Sequence, residues 1–170
     1  MTAPLAIRLV RADLRLMDAA LAGDDALAAA LGHDVVAGWV TFTGALERTR
    51  AALAVNPDAA AWGTRLFVAG DPPELVGWGG FKGPPTDGVV ELGYEIAEAR
   101  WGRGYATAAT RAMVAEAFTD DRVTTVIAHT LPERNASNRV LEKAGFHWDS
   151  DTREGDNPVW RFAMGRPGSD

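Results

Sequence analysis

Gly102 and Gly104 stand two residues apart in RWGRGYATAAT (100–110), directly ahead of an alanine- and threonine-rich stretch. The residues before them, VVELGYEIA (89–97), are β-branched and alternating, which reads as a strand. A strand, a tight glycine turn and a helix start gather backbone N–H groups at the positive end of the helix. Such a cluster binds phosphate without a basic side chain, so a phosphorylated ligand is the expected chemistry. A glycine turn with no ligand is the plain alternative. The turn is not a dinucleotide fingerprint, because Thr107 stands where the third glycine would be and the turn follows an antiparallel meander. It is not a nucleotide P-loop either, since Gly-Lys-Ser/Thr is missing.

A second candidate segment is TLPERNASNRVLEKAGF (130–146), where Asn135 or Ser137 can cap a helix. The surrounding composition narrows the chemistry. There is no cysteine, which removes disulfides, thiolate metal sites and a covalent cysteine intermediate. The three histidines, His33, His129 and His147, lack ligand spacing, so no metal is expected. A formal net charge of −6 argues against a general nucleic-acid binder and mildly favours a cationic partner such as an amine. No apolar run approaches a membrane span and the N-terminus lacks a secretory pattern, so a cytoplasmic location without membrane attachment is expected.

The elements that must position these residues follow from the pattern. A strand at 5–11 precedes two Ala/Leu-rich helical stretches, 13–31 and 42–55, the second stopped by Asn56-Pro57. Strands at 65–70, 75–83 and 89–97 form an antiparallel meander. Then come a helix at 104–118, the near-continuous apolar strand VTTVIAHTL (123–131), a helix at 135–144 closed by Gly145, and a final hairpin. The expected fold class is α+β: a mixed, mostly antiparallel central sheet of about 6–7 strands flanked by about four helices. Residues 1–166 read as one domain and 167–170 as a flexible tail.

Taken together, the two segments resemble the GNAT superfamily of N-acetyltransferases. The family turn V-x-P-x-x-[QR]-G-x-G-x-[GA] is matched by Ile96 to Ala106, and its Asn-containing segment running into S-x-R-V-L-E-K-x-G-F by Asn135 to Phe146. Tyr105-Ala106-Thr107 and the serine ahead of Arg-Val-Leu-Glu-Lys look most like the ribosomal-protein alanine N-acetyltransferase branch. The resemblance is specific from about Val76 to Phe146 and rests on element order before that. Trp101 departs from the usual Gln/Arg, and Glu98 from the usual proline.

The resemblance implies acetyl-coenzyme A as cosubstrate, no metal, and a cleft between splayed fourth and fifth strands. The N–H groups of Trp101, Gly102, Arg103, Gly104, Tyr105 and Ala106, with the Thr107 hydroxyl, would hold the diphosphate. The main chain at Ile96 and Ala97 would pair with the pantetheine arm, and Asn135 and Ser137 would face it from the other side. Transfer would run directly to a primary amine, of a peptide N-terminus or a small molecule. Glu91 holds the position where many relatives place a catalytic glutamate, and alternation puts Glu91, Gly93 and Glu95 on one strand face. Glu91 is the expected base, directly or through a water, with Glu95 second; a salt-bridged strand glutamate is the alternative. Ser137 is either the acid for the departing thiolate or a helix cap. Trp39, Trp62 and Trp78 either wall an acceptor pocket or belong to the core. A homodimer is a further expectation from relatives, and a catalytically inactive coenzyme A-binding module is the competing reading.

Overall fold

The computed structural model describes residues 5–168. The chain runs β1 (Ile7–Arg11), α1 (Leu14–Ala22), α2 (Asp24–Leu31), β2 (Asp34–Val35), α3 (Thr43–Val55), β3 (Thr64–Ala69), β4 (Glu74–Phe81) and β5 (Val89–Ile96). It continues with α4 (Tyr105–Ala117), β6 (Thr125–Thr130), α5 (Ala136–Ala144), β7 (His147–Glu154) and β8 (Asn157–Gly165). Two 3-10 turns, Pro57–Trp62 and Glu98–Arg100, complete the order. The sheet order is β1-β3-β4-β5-β6-β8-β7, with β2 attached to β4. Pairing is antiparallel except for β5–β6 and the two-residue β2–β4 contact. The expected mixed, mostly antiparallel α+β sheet is therefore present.

Two details differ from the sequence expectation. The helical stretch 13–31 is broken at Gly23, where φ is 127°, so it forms two helices that fold over the sheet rather than one rod. The extra strand β2 is too short to show periodicity, and only the neighbouring Glu74–Leu75 edge makes it a strand.

The sheet is covered on both faces, but unequally. Leu16, Met17, Leu27 and Leu46 of α1–α3 pack on Leu66, Val68 and Leu75 of β3 and β4. On the other face Ala109, Met113 and Leu141 of α4 and α5 pack on Phe67, Leu92, Val126 and Phe162. Each such buried side chain contributes about 1.5–3 kcal/mol. The first layer takes its sheet partners from β3 and β4, so one face of β5 and β6 escapes it. That explains why β6, expected to be buried on both sides, instead alternates: Val126, Ala128 and Thr130 are buried, while Thr125, Ile127 and His129 are half-buried.

One buried ion pair fixes α4 on the sheet. Arg65 is 1% exposed, donates to both carboxylate oxygens of Glu116, and also reaches the carbonyls of Ala60, Ala61 and Gly63. With its donors so occupied, the guanidinium meets the condition for burying a charge. Burial pushes the Glu116 carboxyl up, but the hydrogen bonds and charges of Arg65 and Arg11 outweigh it and hold the group below its ordinary value.

Candidate active site

The defining feature is a split in the sheet. β5 pairs with β6 only from Val89↔Thr125 to Glu91↔Ile127. Beyond that point Leu92–Ile96 stays with β4, and Ala128–Thr130 stays with β8. β5 and β6 are the strands expected at 89–97 and 123–131, and they diverge beyond Glu91 and Ile127.

The glycine turn lies at the open end of the split. Gly102 and Gly104 have φ of 71° and 84°, a left-handed backbone that favours glycine, and a Cβ on either would meet no atom within 4 Å. Trp101 N–H is spent on Glu98 O at 3.1 Å. The N–H groups of Gly102, Arg103, Gly104, Tyr105, Ala106 and Thr107 have no partner among the described residues, and Ala108 N–H begins the α4 ladder on Gly104 O. Six donors thus converge on one open turn, five of them in the predicted cradle of residues 101 to 106. Arg100 enters the turn tied to both oxygens of Glu74, which holds the Glu74 carboxyl below its usual range and anchors the turn to β4. Arg103 is exposed and adds positive charge near Glu74.

The strand edge leading away from the turn is partly committed. Ala97 spends its N–H on Val76 O (2.9 Å), and its C=O accepts from Arg100 N–H (2.8 Å), which leaves one lone pair of that carbonyl for a ligand. Ile96 C=O accepts from the Trp101 indole N–H at 2.8 Å. Trp101, 65% exposed, thereby leans over a cavity of about 650 Å³ that Ala37, Gly38, Val40, Thr41 and Ile96 also line. Trp39, Trp62 and Trp78 do not line it. Trp39 is buried and donates to Asp24, and Trp62 packs on Phe81. Trp78 stands edge-on to Trp39 and donates to Glu95 at 3.2 Å. Thr41 donates to the other Glu95 oxygen, so Glu95 links β5 to the cavity wall.

On the far side of the split, Asn135 is the α5 cap. Its Oδ1 accepts from Asn138 N–H, and Asn138 Oδ1 accepts from Asn135 N–H, a reciprocal capping box. Asn138 is fully buried and donates to Thr130 Oγ at 2.9 Å, fixing α5 to the end of β6. Capping therefore falls to Asn135, and the half-buried Ser137 hydroxyl has no partner among the described residues. Tyr94 reaches across from β5 and donates to Ser137 C=O at 3.4 Å, and burial raises its phenol to about 12.

Glu91 lies where the split closes. Its Oε1 accepts from Lys82 Nζ at 2.5 Å and from His129 Nδ1 at 3.0 Å. Lys82 also pairs with Glu154 of β7 at 2.8 Å. Burial works against the Lys82 charge, but bonds to Glu154 and Glu91 raise its pKa overall, and Lys82 in turn lowers that of Glu154. Glu91, His129 and Glu154 offer ligand atoms within 4.8 Å of one another, a meeting of β5, β6 and β7 that no sequence spacing announces. The Lys82 ammonium already bridges the two carboxylates. Sequence reasoning missed His129 and Lys82; the one available signal was a histidine at an outward position of an otherwise apolar strand.

Comparison with known proteins gives a consistent result. The profile of the GNAT acetyltransferase domain matches residues 7–147. The uncharacterised N-acetyltransferase YjdG of Bacillus subtilis is 28% identical over 143 residues, covering 82% of this chain and 85% of that protein. Among solved structures, the aminoglycoside acetyltransferase AAC(6')-Ib in complex with coenzyme A superposes with a TM-score of 0.65 at 19% identity, covering 95% of each chain. A Vibrio cholerae protein described as a candidate ribosomal-protein-serine acetyltransferase gives 0.66 at 16% identity, covering 97% of this chain and 96% of its own. At these identities the structural likeness carries the fold. No helix among the described residues is long and apolar enough to cross a membrane.

Proposed function

The chain belongs to the GNAT acetyltransferase family, and from that premise we propose that it moves an acetyl group from acetyl-coenzyme A directly onto a primary amine. The observation that carries the reading is the open cradle of free N–H groups from Gly102 to Thr107 beside a sheet that splits at Glu91. Those donors, at the positive end of α4, fit a diphosphate. The arm of the cosubstrate follows the Leu92–Ile96 edge of β5, with the carbonyls of Ile96 and Ala97, each accepting one hydrogen bond already, offering it their second lone pair. Ser137, with a free hydroxyl at the start of α5, is placed to give a proton to the departing thiolate, while Asn135 shapes that wall as a cap.

Glu91 is the carboxylate at which deprotonation of the amine is organised, directly or through a group that it holds. At pH 7 that step costs about 1.4 kcal/mol for an α-amino group and about 4.6 kcal/mol for a lysine. Glu91, Glu95 and Glu154, on the strands around the split, suit an acceptor that arrives as a cation, in keeping with the net charge of −6. Small-molecule amines are acceptors of the aminoglycoside acetyltransferases that share this fold, and peptide N-termini are the other class to test. The experiment is a thiol-release screen with acetyl-coenzyme A against both sets. Turnover on one set is the expected result. Tight cosubstrate binding by calorimetry with no release on any amine would instead favour a coenzyme A-binding module without catalysis.

A further inference from the structure

We propose that His129 is the general base of this site and that Glu91 acts as its positioning partner. The inference rests on the acetyl-transfer reading above and assigns the proton to a residue that the sequence motifs do not mark. His129 lies on the diverged half of β6, two residues past the last β5–β6 pair, and its neighbours Ala128 and Thr130 point into the opposite, helix-covered face. Its Nδ1 faces Glu91 Oε1 at 3.0 Å. An ionised carboxylate can only accept, so Nδ1 carries the hydrogen and Nε2 keeps its lone pair. Among the described residues Nε2 has no hydrogen-bond partner, and the side chain is 15% exposed. Carboxylate, oriented imidazole and a free ring nitrogen are the arrangement that lets a histidine take a proton from a nucleophile.

Position favours the imidazole over Glu91 itself. Glu91 Oε1 accepts from both Lys82 and His129, so only Oε2 of that carboxylate is unpaired among the described residues. The cradle lies at the C-terminal end of β5 and the split closes at Glu91, five residues or about 16 Å of extended strand away. An arm anchored at the cradle and running down the β5 edge therefore ends beside Glu91 and His129. The charged groups around His129 are Glu91 from β5, Lys82 from the end of β4, Glu154 from β7, and Arg161 across the ladder on β8, itself paired with Asp149. Nε2 takes one proton from the ammonium, and the freed lone pair forms the C–N bond to the thioester carbonyl carbon. The C–S bond then breaks, the Ser137 hydroxyl gives its proton to the departing sulfur, which leaves as a thiol, and takes the second proton of the nitrogen in return, and the imidazolium returns its proton to solvent.

The test compares the unsubstituted protein with His129→Gln, His129→Ala and Glu91→Gln, using an amine found in the screen. His129→Gln is expected to lower kcat/KM by roughly 100-fold or more, with unchanged acetyl-coenzyme A affinity and thermal midpoint, and to remove the acidic limb of the kcat/KM pH profile. Added imidazole should restore activity to His129→Ala, which a purely structural histidine would not allow. Glu91→Gln should keep that limb but displace it. Full activity in His129→Gln, or a loss that imidazole leaves untouched and that keeps the acidic limb, overturns the assignment. Absence of turnover in the unsubstituted protein would remove the transfer reading itself, a failure seen before any substitution is made.

Discussion

Glu91 and Glu95 share one face of β5 four residues apart, yet their partners give them different work. Glu95 is held by Trp78 and Thr41 at the cavity wall, whereas Glu91 is held by Lys82 and His129 at the closed end of the split. Gly104 must hold φ of 84° while its N–H points outward. In Gly104→Val the left-handed backbone costs about 1–2 kcal/mol, so acetyl-coenzyme A affinity should fall about tenfold or more by calorimetry. Unchanged affinity would show that these amides do not hold the diphosphate. Both glycines and both glutamates were readable in the sequence, because turn chemistry and strand alternation are local. The partners of the glutamates were not, since Thr41, Trp78, Lys82 and His129 come from other parts of the chain.

At the scale of elements, β4 controls the position of β5. A Cβ at Gly79 would lie 2.3 Å from Gly93 O and 2.7 Å from the Phe67 ring, and one at Gly77 would lie 2.2 Å from Glu95 O. These glycines let two strands and an aromatic ring approach closely. Gly79→Ala should therefore destabilise the fold by about 1–3 kcal/mol in denaturant titration, through overpacking, and should also lower turnover, because β5 carries Glu91, Glu95 and Ile96. Gly93→Ala is the control: a Cβ there meets nothing within 4 Å, and stability should hold. Equal stability loss in both variants would contradict the packing argument. The element order was legible from periodicity and turn residues. The break at Gly23 and strand β2 were not, because a kink and a two-residue pairing depend on what lies beneath them.

Across the whole molecule, ion pairs set the pH range of stability. Glu74, Glu116 and Glu154 are each held below the ordinary carboxyl value of 4.5, and Asp120 is held at about 2 by side-chain and backbone bonds with Arg122. A depressed carboxyl contributes stability that is complete above its unfolded value and is lost as pH falls through the folded one. Lys82 is raised above 10.5 and Tyr94 from 10.0 to about 12, so their contributions are complete below those unfolded values and are lost as pH rises. The thermal midpoint should thus be flat between about pH 5 and pH 9 and fall on both sides. An acid limb that is unchanged in Glu116→Gln would remove Glu116 from the set. The sequence by itself determined the strand–turn–helix cradle, the order of elements and the family, because each follows from neighbours along the chain. Only the tertiary structure decided which groups surround the closed end of the split: Glu91, His129, Lys82 and Glu154 are distant in sequence and meet only where the folded strands lie side by side.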